Sequence, residues 1–307
     1  MARRRGRSSG LEGVLVVDKP AGPTSHDVVQ TVRRALGESR VGHTGTLDPA
    51  ATGVLVLCVG RATRLVRFLQ AGRKTYAARM VLGITTDSQD ADGAVLRTVP
   101  AGHVDERTLC EALTRFQGRI EQVPPMVSAV KVDGERLHVK ARRGEEVARE
   151  PRTVTIDDLI LDTFEPGEHP EASFLVTCSA GTYIRTLAHD VGEVLGVGGS
   201  LRGLRRLANG PFTSEDAHPL EHIVAAGPAE IGGLLLDVRT AITRALPHVT
   251  VDDPDLLRTL ARGGRLPSQD RAGTYAVVDP TRLVGLYRDG PDGGRPELVW
   301  LRPEELG

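Results

Sequence analysis

Aromatic residues make up only 3% of this 307-residue chain, with a single tryptophan, so an extended stacking platform for single strands is not evident. Cysteine is scarce as well. Cys58, Cys110 and Cys178 are far apart and odd in number, which excludes a disulfide framework and a CxxC metal site and leaves three small buried residues. No apolar run approaches the roughly 20 residues needed to span a bilayer. The basic start, with Arg3, Arg4, Arg5 and Arg7, lacks the apolar stretch of a signal peptide, because Glu12, Asp18 and Lys19 interrupt Leu11 to Val17. The expectation is a cytoplasmic protein with no membrane segment. Histidines show no HExxH spacing, and His218 and His222, four apart around Pro219, are a poor ligand pair, so no metal is indicated.

What is present is an ordinary globular composition, 40% hydrophobic and 26% charged, on a chain long enough for one large and one small domain. The net charge of −1 hides an asymmetry. Residues 1–152 hold 25 Lys+Arg and 17 Asp+Glu, and residues 153–307 hold 14 and 23. A basic front half suits a polyanion track, although a solvated charged surface explains it equally well. Residues 1–10 read as a basic disordered arm, 11–246 as the main domain, and 247–307, with strand-like runs at Tyr275–Val278, Leu283–Tyr287 and Leu298–Leu301, as a small β-rich domain.

Within the main domain the pattern predicts a strand over Leu11–Val17 and a helix from an N-cap at Ser25 to Leu36, stopped by Gly37. Further strands are predicted at Gly53–Val59, Thr75–Leu82, Val127–Val132, Arg152–Phe164 and Ser173–Cys178. Helices are predicted at Ala62–Gln70, at Glu106–Phe116 and from a cap at Thr182 to about Leu195, and Asp87–Gly93 reads as a polar turn. Without steady βαβ alternation, this is an α+β fold on a mixed, largely antiparallel sheet.

The segment Gly42-His43-Thr44-Gly45-Thr46-Leu47-Asp48-Pro49 stands apart. Its glycines permit close backbone approaches, and Pro49 holds Asp48 out of the helical region. A phosphate cradle is disfavoured because neither GxxxxGK[ST] nor GxGxxG occurs in it. A tight turn in which Asp48 bonds local backbone is the plain alternative.

Gly42 to Gly53 closely resembles the signature loop of the TruB family of tRNA pseudouridine synthases. Other family-like pieces follow in order: Gly13–Gly22 with Ser25, Lys74-Thr75-Tyr76, Gly181–Leu187 with Asp190 and Gly192, and Leu204-Arg205-Arg206-Leu207. The resemblance covers about residues 11–210. It implies a cofactor-free, metal-free isomerase that converts uridine 55 in the T loop of tRNA to pseudouridine, acts as a monomer, and carries a PUA-like RNA-binding domain at its C-terminus. It places the catalytic carboxylate at Asp48, its cationic partner at Arg185, and Tyr76 against the flipped uracil. His43 would touch the RNA, and Tyr183 and the backbone at Leu204 would line the base pocket. Lys19 would support the site floor or contact a phosphate, unless it is a plain surface lysine. Basic sets at Arg61/Arg64/Arg67, Arg73/Lys74, Arg136/Lys140/Arg142/Arg143 and Arg202/Arg205/Arg206 are expected to grip the tRNA backbone. The rivals are a tRNA-folding protein on the same scaffold and a nucleoside hydrolase, the latter lacking an obvious second carboxylate as general acid.

Overall fold

From Gly53 to Val59 every residue is buried, and a strand dry on both faces must lie inside a sheet covered on both sides. The computed structural model, which describes residues 9–126, 131–132, 135–136, 143, 145 and 147–306, places it there. The strands are β1 (Gly13–Lys19), β2 (Val41–His43), β3 (Thr52–Val59), β4 (Lys74–Leu82), β5 (Ile84–Thr86), β6 (Val95–Thr98), β7 (Gly118–Gln122), β8 (Lys131–Val132) and β9 (Glu135–Arg136). They continue with β10 (Arg152–Glu165), β11 (Glu171–Cys178), β12 (Gly199–Asn209), β13 (Phe212–Thr213) and β14 (His218–Pro219). The main sheet runs β14-β1-β3-β12-β4-β11-β10-β7. Among the described strands of this sheet, β1/β14 and β3/β12 pair in parallel and the other pairs are antiparallel, so the sheet is mixed and largely antiparallel.

Alternation decides which face each side chain serves. Leu15, Val17, Leu55 and Leu57 meet Val28, Val29, Val32 and Leu36 of α1 (Ser25–Leu36), whereas Val14, Val16, Val54 and Val56 face the opposite core. In the other half of the sheet, Met80, Phe174 and Val176 pack against Ile184, Leu187, Ala188 and Val191 of the helix Ile184–Val194. The parallel contact of β3 with β12 is close. Gly53 has φ +99° and a Cβ there would stand 2.2 Å from the Arg206 carbonyl oxygen, so no other residue fits.

A second sheet follows: β15 (His248–Thr250), β16 (Thr274–Val278), β17 (Leu283–Gly290) and β18 (Gly293–Val299), in that order. The last of these ends before Trp300, earlier than the run expected at Leu298–Leu301. Ala276, Val278, Leu283, Leu286 and Trp300 share one apolar cluster with Val14, Val54 and Val56, so the small sheet is fused to the main one by a common interior.

Two expected caps are elsewhere. Thr24, not Ser25, caps α1: its hydroxyl accepts from Asp27 N–H and the Asp27 carboxylate accepts from Thr24 N–H. Thr182 donates to Ser179 O instead of capping, and Tyr183 occupies the cap position. The helix expected at Ala62–Gln70 is instead a 3₁₀ turn over Gly60–Leu65 followed by one α-helical turn at Val66–Leu69. Residues 1–8, and 127–130 of the expected strand Val127–Val132, lie outside the described residues.

Candidate active site

The loop between β2 and β3 is tied to the fold by groups from three other elements. Lys19, at the end of β1, is fully buried and donates from Nζ to Pro20 O (2.9 Å), Pro49 O (3.0 Å) and Ala51 O (2.7 Å). Ser25 Oγ donates to Leu47 O at 2.9 Å and accepts from Leu47 N–H at 2.8 Å, which is why it does not cap its helix. Arg206, on β12, donates to Gly45 O (3.1 Å), Thr46 O (3.3 Å) and Val54 O (2.7 Å). Asn209 reaches Thr44 Oγ1 at 2.9 Å. Backbone carbonyls on both sides of Asp48 are thereby fixed while its own carboxylate stays clear of them.

That carboxylate, 46% exposed, meets Arg185 Nη2 at 3.3 Å; Arg185, 6% exposed, holds Asp90 with Nη1, also at 3.3 Å. One guanidinium therefore bridges two acids. Surrounding protein raises the pKa of Asp48 above the usual carboxylate value, Arg185 opposes that rise, and Asp90 adds to it. The open side of Asp48 faces a narrow cleft, with about 30 Å³ of free space, whose walls include Asp90, Ala91, Asp92 and Leu201 to Leu204. A larger cavity, about 420 Å³, lies where the two sheets meet, against Arg61 and Trp300, and no residue of the motif loop lines it.

Tyr76, on β4, is 7% exposed, and its hydroxyl lies beside the Arg206 guanidinium. Burial raises its pKa and Arg206 counteracts this. His43 is held by Gly45 N–H donating to Nδ1 at 3.3 Å; burial and then Arg206 lower its pKa, favouring a neutral ring. Tyr183 is clamped through its backbone by Gln122, Nε2 donating to Tyr183 O at 3.0 Å and Oε1 accepting from Tyr183 N–H at 2.8 Å. Its ring lies 5.9 Å from the Arg185 guanidinium. Leu204 lines the cleft. The structure thus gathers Asp48, Arg185 and Leu204 at one opening, with Tyr183 beside Arg185. Tyr76 sits beside Arg206, which ties down the Asp48 loop, and Lys19 lies beneath that loop with its ammonium committed to carbonyls.

The sequence points to neither Asp90 nor Gln122, and it places Arg206 only in a set expected to grip the tRNA backbone, whereas the structure buries it beneath the Asp48 loop. Asp90 lies in the turn read only as polar, and that turn is anchored to the site: Leu201 N–H donates to Gln89 O at 3.0 Å, and Thr186 Oγ1 donates to Gln89 Oε1 at 2.7 Å. Several expected backbone-gripping cations are engaged with protein instead. Arg61 stacks 4.3 Å from the Trp300 ring and pairs with Glu12 and Glu305, while Arg64 and Arg67 donate to Val299 O and Glu297 O, so this set joins the two sheets. Arg73 pairs with Asp157 at 2.8 Å, Lys74 is buried on Gln70 O and Gly72 O, and Arg205 forms a forked pair with Asp18 at 3.1 and 2.8 Å. Arg143 pairs with Glu145, and Lys140 and Arg142 lie outside the described residues. Among the described residues no group of three or more His, Cys, Asp or Glu could hold a metal ion.

Residues 33–184 match the family described as TruB family pseudouridylate synthase (N terminal domain), and residues 185–238 match the tRNA pseudouridylate synthase B C-terminal domain. A protein named tRNA pseudouridine synthase B from Symbiobacterium thermophilum is 50% identical over 85% of each chain. One of the same name from Thermobifida fusca is 41% identical over 94% of this chain and 98% of its own. Among solved structures, the crystal structure of a Cbf5-Nop10-Gar1 complex superposes with a TM-score of 0.74 at 26% identity, covering 96% of this chain and 86% of that one.

Proposed function

The chain belongs to the TruB family of pseudouridylate synthases, and from that premise we propose that it isomerises uridine 55 in the T loop of tRNA with Asp48 as the catalytic carboxylate. The observation that carries this reading is the Asp48 carboxylate itself, presented from a loop pinned on both sides, open to a cleft, and paired with Arg185.

Isomerisation breaks C1′–N1, turns the uracil, and joins C1′ to C5; the proton leaves C5 and N1 gains one, so mass is unchanged. The nucleotide must leave its stack to bring its C1′ to Asp48. Asp48, kept ionised by Arg185, either attacks C1′ or takes the 2′ proton, and both routes need the anion. Tyr76 packs on the base, and its hydroxyl, beside Arg206, assists removal of the C5 proton. Tyr183 and the backbone at Leu204 hold the uracil edge, and His43 stacks near the vacated position. Residues 11–246 form the catalytic unit, and the second sheet, beginning at His248, serves as a PUA-like RNA-binding unit.

The test is to incubate unmodified tRNA with the wild-type chain and with Asp48→Asn, then map pseudouridine by carbodiimide-stopped primer extension. A stop at position 55 with wild type alone is the expected result; product from the Asn variant would remove Asp48 from its role, and free uracil would make the protein a hydrolase.

A further inference from the structure

A phosphodiester approaching the cleft meets Asp48, Asp90 and Asp92, three carboxylates around one opening. Such an entrance repels a polyanion unless a cation stands at the same rim. Arg185 is sequestered between Asp48 and Asp90, Lys19 and Arg206 are buried on carbonyls, and Arg205 is locked onto Asp18. Among the described residues that line the cleft, the one cation is Arg202.

Its position is set by an irregularity in the strand. Along β12, Leu201 pairs with Met80 and Gly203 with Arg79, so Arg202 is an extra residue with no opposite number on β4. A bulge of this kind turns a side chain away from the alternation of the strand, and such bulges concentrate beside active sites. Arg202 is exposed, unlike Arg206, and it has none of the acid partners that hold Arg205. Gly203 beside it keeps the approach free of side-chain atoms.

We propose that Arg202 is a substrate-binding residue that receives a backbone phosphate next to the extruded uridine, offsetting the three carboxylates at the entrance. This rests on the reading of the cleft as the uridine site. The guanidinium fork suits a phosphate's paired oxygens, and its work is done on entry, before any bond at C1′ changes.

The test uses the full chain and an unmodified T-arm hairpin RNA, synthesised also with one uncharged methylphosphonate linkage on the 5′ or the 3′ side of the target uridine. Binding is read by fluorescence anisotropy across a salt series and conversion by single-turnover kinetics. Arg202→Ala is expected to weaken binding of the unmodified hairpin about tenfold and to lower the slope of log affinity against log salt by about one, with the rate at saturating RNA within a few-fold of wild type. Arg202→Lys is expected to keep the slope. One of the two methylphosphonates should weaken wild type by a similar factor and leave Arg202→Ala unaffected. Equal losses for both proteins at both linkages, or an unchanged salt slope, would overturn the assignment. Failure of wild type to convert the unmodified hairpin counts against the uridine reading instead, and the binding arms still decide Arg202.

Discussion

Replacing Arg185 by lysine leaves one ammonium where two guanidinium nitrogens now serve two acids. At 3.3 Å a pair of unit charges is worth about 5 kcal/mol at an effective dielectric near 20, but the exposed half of Asp48 screens this toward the ~1 kcal/mol of surface pairs. A loss of about 1 to 2 kcal/mol follows, roughly one pKa unit. In the proposed mechanism Asp48 acts as the anion, and burial already holds its pKa above the usual value, so activity is expected to fall as pH drops through that raised pKa. Weakening the pair moves the acidic limb of kcat/KM to higher pH. Asp90→Asn does the reverse, since it removes a like charge beside Asp48. Single-turnover rates on tRNA from pH 5 to 8 should therefore show limbs displaced in opposite directions, with Arg185→Lys also slower by about 100-fold at its plateau, about 2.7 kcal/mol on the barrier. Displacement of both variants in the same direction, or a lysine variant within a few-fold of wild type, would refute this account of the triad.

Ser25→Ala orphans the buried N–H and C=O of Leu47; it should cost about 1 to 3 kcal/mol in urea unfolding and lower kcat more than it raises KM, because the Asp48 loop loosens while the RNA contacts remain. For Gly53→Ala, both the φ of +99° and the overlap with Arg206 O require backbone displacement, and the expected result is a drop in melting temperature of several degrees with loss of turnover; an unchanged melting curve would mean the two strands can separate there. Tyr76→Phe keeps the ring and removes the hydroxyl, so affinity for RNA should hold while isomerisation slows; a 5-deuterated uridine substrate should then show a larger isotope effect than with wild type. Arg61→Ala uncovers Trp300, and limited proteolysis should cut within residues 248–306 sooner while the single-turnover rate stays within a few-fold.

Much of this architecture follows from runs whose meaning is local. Gly53–Val59 is apolar at every position and becomes an interior strand, and Val28, Val29, Val32 and Leu36 recur at helical spacing and cover one of its faces. The motif loop was legible as an identity more than as a geometry: Pro49 and the glycines indicate a fixed turn, but nothing in them says that Lys19 and Arg206 will hold it from below. Arg206 is the instructive failure. Three arginines within five residues read as a surface, yet β12 carries two register shifts, at Leu201/Gly203 and Arg206/Ala208, which send its arginines to different fates. Asp90 was hidden for a different reason. Asp, Ser and Gly in a short stretch signal a turn, and only tertiary contacts through Gln89 bring that turn to Arg185.

Because Trp300 and the second sheet share their interior with the main one, the two cannot swivel apart without wetting apolar side chains. The span from Asp48 to the far sheet is therefore set by packing and not by a hinge; were the second sheet to touch the RNA as proposed, the substrate and not the protein would have to bend to meet both places.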